Sequence, residues 1–314
     1  MSKPPLASQG ELPSITGLRY TFPAHGLTDA ERAVAGAAYR DFVTRHGLYE
    51  DGPGRADVVE TFATYCSIPG APRRTIRRVT ELLTLIIYFN DTVEQPACQT
   101  LLEQSMDALF GGTAPSDAAP STRASAALRS DLEVHIAETP ANGVAFLNAM
   151  FRTWSAFLWE SRNFSRLPAD LEDYRQLRCN TIAVLPFLQA WKLLLRLPAS
   201  VSARHGEALR RLEKLATAVQ YLANDLGSAK RDQERGQRNA VLIQAKSART
   251  NLVSAWCRVK AEHDTLAERL TRELAGLRAE DGTRSLHRYL DELEACTWGN
   301  LLSLQDLTHR YLEA

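Results

Sequence analysis

The sequence predicts an all-α fold, and three observations carry that reading. Apolar residues recur at helical spacing through almost every periodic stretch. Short alternating runs between turn signals, the mark of strands, are missing. The loops are mostly short, no linker divides the chain, and no repeat of fixed period is visible. The 314 residues are 45% hydrophobic and 24% charged, the composition of a globular chain long enough to bury a large core. We read one helical bundle of about ten helices over residues 19–314, after a flexible N-terminal segment at residues 1–18.

The elements follow in order. Ala30–His46 is Ala-rich with helical apolar spacing, and Thr28 with Glu31 makes a capping box ahead of it. Arg74–Val93 is a long apolar helix that turns polar at its C-terminal end, and Pro96 is placed to start the next one. Gly111–Thr122, rich in Gly, Pro, Ser and Ala, reads as a loop. Helices are then expected at Arg123–Glu138, Ala141–Trp159, Leu171–Leu195, Val201–Gly227, Ala240–Leu277 and Ser285–Tyr311.

Charge and cysteine usage narrow the function. Lys plus Arg and Asp plus Glu number 37 each, and no polybasic run occurs, which argues against nucleic acid as the main partner. The five cysteines form no CxxC pair, so neither a disulfide framework nor a zinc site is indicated. A reducing cytoplasm is the expected location. Met1–Gly17 lacks the apolar core of a secretory signal. The longest apolar stretches, Leu82–Phe89 and Ile182–Leu188, are too short to cross a bilayer, so no stable membrane insertion is expected.

Two polar clusters stand out. Asn224, Ser228 and Asp232 are spaced four apart and share one helix face. An amide, a hydroxyl and a carboxylate are hard oxygen donors of the kind Mg²⁺ takes, and Lys230 and Arg231 beside them could hold a phosphate. A solvated polar face is the plainer reading of such a triplet. The second cluster is Asn90, Asp91 and Glu94, where Asp91 and Glu94 share a face, as do Asn90 and Glu94. Acids at a helix C-terminus oppose the macrodipole and need a nearby cation. Each cluster ends an apolar helix, so two such helices facing each other put oxygen ligands on both walls of one mouth.

These residues resemble those of the bacterial class I terpene synthases. Asn90-Asp91-Thr92-Val93-Glu94 is similar to the family's Asp-rich motif, with Asn in place of the leading Asp. Asn224–Asp232 is similar to its NDxxSxxxE motif, with Asp in place of the final Glu. The motifs lie 134 residues apart (224 − 90), as in the family. Arg178 precedes Asn224 by 46 residues (224 − 178), at the place of the family's diphosphate-sensing Arg, within Tyr174-x-x-x-Arg178-x-x-Thr181. Trp159–Asn163, Pro168, Gly236, Asn239 and Trp298-Gly299-Asn300 also match, and Arg310-Tyr311 stands 86 residues after Asn224 (310 − 224). The likeness runs from about residue 30 to residue 311. Where many members carry a helix-breaking Gly after the sensor Arg, this chain has Thr181-Ile182-Ala183-Val184, with Pro186 the nearest breaker.

The resemblance implies a class I terpenoid synthase-like bundle with a central active-site cavity. It implies Mg²⁺-dependent ionisation and cyclisation of farnesyl or geranylgeranyl diphosphate, with three Mg²⁺ ions as cofactor. The metal ligands carried over are Asn90, Asp91, Glu94, Asn224, Ser228 and Asp232. Either Asn90 binds through its amide oxygen, or Asp91 and Glu94 take over. Arg178, Lys230, Arg231, Arg310 and Tyr311 are the diphosphate ligands. Among aromatics that could steady a carbocation, Phe89 and then Trp298 have the best case. Other readings are a prenyl chain-elongating synthase of related fold and a non-catalytic helical scaffold. The resemblance also allows a homodimer, which no sequence feature demonstrates.

Overall fold

The computed structural model describes residues 12–18, 20, 26–49, 56–93, 98–111, 113–163 and 170–307. Among them are one 3₁₀ turn, Ile15–Gly17, and twelve α-helices, with no strand. The helices are α1 (Asp29–His46), α2 (Ala56–Tyr65), α3 (Arg73–Thr92), α4 (Cys98–Gly111), α5 (Pro120–Glu138) and α6 (Pro140–Arg162). They continue as α7 (Leu171–Thr181), α8 (Val184–Leu194), α9 (Ala199–Glu234), α10 (Ala240–Ser247), α11 (Leu252–Glu280) and α12 (Arg284–Asp306). No helix among the described residues is long and apolar enough to cross a membrane.

Local chemistry explains most boundaries. The Thr28–Glu31 capping box opens α1, and Gly47, left-handed at φ 69°, closes it. Asn251 caps α11 by accepting the Ser254 N–H at 2.8 Å. α9 is the longest helix described and packs along both α11 and α12. Hydrogen bonds pair Tyr289 with Glu213 and Thr297 with Gln220, so α12 and α9 run side by side in the same direction.

The structure corrects several of these expectations. Helix α9 does not stop at Gly227 but runs to Glu234. Gly227 is a seat for Ile15, whose Cδ1 lies 3.0 Å from where a Cβ would stand; the stop comes at Gly236, at φ +64°. Residues 12–18, read as flexible, therefore pack on α9: Ile15 is buried and its carbonyl accepts from Gln305 Nε2 at 3.1 Å. The helix expected over Ala240–Leu277 breaks before Asn251, with Arg249 left-handed. The helix expected over Leu171–Leu195 breaks between α7 and α8. Pro186 drives that break, since it cannot donate to the Ile182 carbonyl and its ring clashes there in a continuous helix. Finally, α2 lies in a stretch whose periodicity is too brief to stand out, and α5 begins at Pro120, inside the expected loop.

Ala183 takes the turn of the α7–α8 break at φ 57°. A side chain in the left-handed region is strained by about 1–2 kcal/mol, part of which glycine returns as unfolded-state entropy. Ala183→Gly is therefore expected to stabilise the fold by about 0.5–1 kcal/mol. A urea midpoint unchanged or lowered in that variant contradicts this.

Candidate active site

A cavity of about 660 Å³ opens between α2, α3, α6, α7, α8, α9 and α12. Asn90 and Asp91 at the end of α3 line it, as do Asn224 and Asp232 on α9. The two oxygen-bearing helix ends thus face one space. One to two turns further inside α3 lie Leu83, Ile86 and Ile87, with Val58, Phe62, Phe157, Val184 and Phe187 from the surrounding helices. The mouth is polar and the interior largely apolar.

On α9 the oxygens are tied together. Ser228 Oγ donates to Asp232 Oδ2 at 2.6 Å, and Asp232 Oδ1 accepts from Arg231 Nε and Nη2 at 3.1 and 2.9 Å. Asn239, the N-cap of α10, donates to Asp232 Oδ2 at 2.9 Å and to the Asp225 carbonyl at 2.8 Å. Its own Oδ1 accepts from the Val241 N–H. Ser228 is buried beneath Asp232 and does not itself line the cavity.

Helix α7 brings Arg178 to the same cluster. Its Nη2 donates to Asn224 Oδ1 at 2.7 Å and its Nε to Asp225 Oδ1 at 3.2 Å. Asp225 is buried, and it also accepts from the Tyr174 hydroxyl at 2.6 Å and the Ala240 N–H at 2.9 Å. Burial pushes the Asp225 carboxyl up, against the pull of Arg178, Tyr174 and Ala240. Burial also works against the Arg178 charge, but Asp225 overrides it and holds the guanidinium above its ordinary value. Tyr174 is driven well above the usual phenol range by burial and by the Asp225 carboxylate, so it stays a donor. Arg178 is thus aimed by a buried carboxylate, and one edge of its fork remains on Asn224.

Two further cations line the cavity, Arg235 and Arg238. Arg235 lies one turn beyond Arg231, and the α9–α10 turn carries Arg238 back over the mouth. Arg238 stacks on Trp159, 5.0 Å from the ring centroid, and donates to the Asn163 carbonyl at the end of α6. Partial burial lowers its guanidinium from the ordinary value. The four-residue spacing of Arg231 and Arg235 is the local signal for Arg235 once α9 runs past Gly227, whereas Arg238 lies beyond the stop at Gly236 and is placed by the turn.

Several expected residues stand elsewhere. Lys230 is exposed and lies off the cavity wall. Phe89 is fully buried, set edge-on to Tyr88 and Trp154 at 5.5 and 5.3 Å, and does not line the cavity. One residue is a rotation of about 100° round a helix, which turns Phe89 from the face that carries Asn90. Trp298 packs on Tyr20, with ring centroids 5.2 Å apart, and also misses the wall. Glu94, Arg310 and Tyr311 lie outside the described residues.

The donor set suits a hard divalent cation: amide, hydroxyl and carboxylate oxygens on one helix face, with Asp91 across the mouth. Among the described residues, no three His, Cys, Asp or Glu side chains converge, so the amide oxygens of Asn224 and Asn90 count among the donors that face this cavity.

The sequence profile of terpene synthase family 2, C-terminal metal binding, matches residues 81–269, more than half of the chain. The chain belongs to this terpene synthase family. Solved terpene synthases share its fold. A linalool/nerolidol synthase from Streptomyces clavuligerus, in complex with 2-fluorogeranyl diphosphate, superposes with a TM-score of 0.71 at 20% identity, covering 92% of this chain and 98% of that one. A hedycaryol synthase in complex with HEPES gives 0.76 at 20% identity, covering 96% and 98%. The SVS_A2 protein from ancestral sequence reconstruction gives 0.77 at 19%, covering 92% and 90%. No curated protein matches the chain in sequence.

Proposed function

We propose that this terpene synthase ionises and cyclises an allylic prenyl diphosphate, farnesyl or geranylgeranyl diphosphate, in a Mg²⁺-dependent reaction. One observation carries the reading. A single cavity gathers Arg178, Arg231, Arg235 and Arg238 with oxygen donors at its mouth, and an apolar wall inside. Its volume of about 660 Å³ falls in the range of small-molecule sites.

Diphosphate leaves only when its developing charge is neutralised. Guanidinium forks grip phosphate oxygens in pairs, and Arg178 is pre-aimed by Asp225, so little reorganisation accompanies ionisation. Asn224, Asp232 and Asp91, with Asn90 beside them and Ser228 supporting Asp232 from behind, would hold Mg²⁺, which would supply Lewis-acid stabilisation of the leaving group. The allylic cation is then left against Ile86, Ile87, Phe62, Phe157 and Phe187. Each aromatic face stabilises a cation by about 0.5–2 kcal/mol.

The test is incubation with Mg²⁺ and geranyl, farnesyl or geranylgeranyl diphosphate in turn, followed by extraction. Mg²⁺-dependent terpenes from an allylic diphosphate alone are expected. Consumption only when isopentenyl diphosphate is added marks a chain-elongating enzyme, and no consumption removes the proposal. Arg238→Gln is expected to raise KM for the diphosphate about tenfold, the loss of one charge-assisted hydrogen bond, with a smaller effect on kcat. An unchanged KM in a folded variant removes Arg238 from the site.

A further inference from the structure

The interior wall of the cavity is largely apolar, and one polar patch on it joins α9 and α12. Gln220 on α9 and Cys296 and Asn300 on α12 line it together, with Cys66 beside them. Gln220 lies one turn inside Asn224, about 6 Å along the helix. Cys296 and Asn300 are four apart and share a face of α12. Because α9 and α12 run in the same direction with Gln220 against Cys296 and Thr297, Asn300 comes level with Asn224. The patch therefore sits directly inside the diphosphate end.

These side chains are poorly satisfied where they are. Gln220, almost fully buried, reaches only Cys296 Sγ at 3.6–3.8 Å and Thr297 Oγ1 at 3.5 Å. Asn300 is 7% exposed, and its Oδ1 has no hydrogen-bond partner among the described residues. A buried amide oxygen without a partner, as at Asn300, and an amide held only by long contacts to sulfur and a hydroxyl, as at Gln220, are both improved by a further polar partner. A bound water is such a partner, since a water in a protein interior is held by about two to four polar groups. The Gln220 amide, the Asn300 amide and the Cys296 thiol supply such a set.

We propose that Gln220, Cys296 and Asn300 hold one water, and that this water captures the carbocation, so that the product is a terpene alcohol. The inference rests on the reading of the cavity as the place where a prenyl diphosphate ionises. The carbon–oxygen bond to diphosphate breaks, with the electron pair leaving on diphosphate. The water oxygen then forms a bond to the cationic carbon. The proton it loses passes to the released diphosphate, which lies one turn away at the mouth. No oxidant or further reactant is needed.

The experiment is turnover of farnesyl diphosphate, and of the geranyl and geranylgeranyl homologues, by the full chain with Mg²⁺ in ¹⁸O-water. Diphosphate release and product mass are read together. The expected result is a principal product that is an alcohol carrying one ¹⁸O. Diphosphate release with a hydrocarbon as principal product, or with an alcohol lacking ¹⁸O, overturns the inference and leaves prenyl diphosphate ionisation standing. Absence of diphosphate release removes the ionisation reading, and this inference with it. Asn300→Leu and Gln220→Leu are each expected to lower the alcohol-to-hydrocarbon ratio about tenfold, the effect of one lost hydrogen bond to water. That ratio is independent of how much protein folds, and an unchanged ratio in both variants assigns the water elsewhere.

Discussion

Arg178→Met is expected to slow diphosphate release by about 10²–10³-fold, the effect of removing one preorganised donor to developing negative charge. It is also expected to destabilise the fold, because Arg178 is the cation facing the buried Asp225 carboxylate at 3.2 Å. Removing one partner of a buried ion pair costs about 3–5 kcal/mol. The Tyr174 hydroxyl and the Ala240 N–H remain on Asp225, which sets the expectation near about 3 kcal/mol. The two effects separate with Arg178→Lys, which keeps the charge beside Asp225 but loses the fork that also reaches Asn224. That variant is expected to melt close to the parent chain and still turn over slowly. Rapid-quench assay of diphosphate release, with urea melts alongside, reads both quantities. Parent-like release from a folded Arg178→Met protein removes Arg178 from the chemistry.

The second large effect is expected at Gly299. A Cβ there would stand 2.1 Å from the Tyr65 carbonyl oxygen, 2.2 Å from its carbon and 2.5 Å from the Cys66 nitrogen. All three are backbone atoms, so no side chain can swing aside. Helix α12 must move away from the end of α2, and overpacking of this kind costs about 3 kcal/mol or more. The same approach holds Cys296 and Asn300 against the wall that Val58 and Phe62 complete. Gly299→Ala is expected to lower the urea midpoint sharply and to cut turnover with it. Near-parent stability of that variant contradicts the close approach of these helices.

The helical class and the two polar clusters were legible because they depend on spacing along one helix. Residues four apart share a face whatever the rest of the chain does. Asn224 and Asp232 therefore fall together, and the opening of their face onto a cavity follows the apolar run that buries the helix. The capping box at Thr28 and Glu31 is local in the same way. Breaks were harder to read. Gly227 looks like a helix end, yet it is the place where Ile15 presses on α9. Pro186 stands four residues beyond the carbonyl it deprives, so the turn it forces falls on Ala183, a residue with no preference for it.

What only the tertiary structure decided is which faces look into the cavity. Phe89 neighbours Asn90 in sequence and is rotated out of the site by that single step. Trp298 neighbours Asn300 and packs on Tyr20 instead. Arg235 and Arg238 enter the wall because α9 continues past Gly227 and the α9–α10 turn folds back over α6. Gln220 and Asn300 line one wall only because α9 and α12 run side by side in the same direction. By itself the sequence determined the helices, the residues each helix presents together, and the family likeness that those spacings carry. The contents of the cavity had to await the packing. A helix's own geometry sets which side chains share a face, and the neighbouring helices set where that face points.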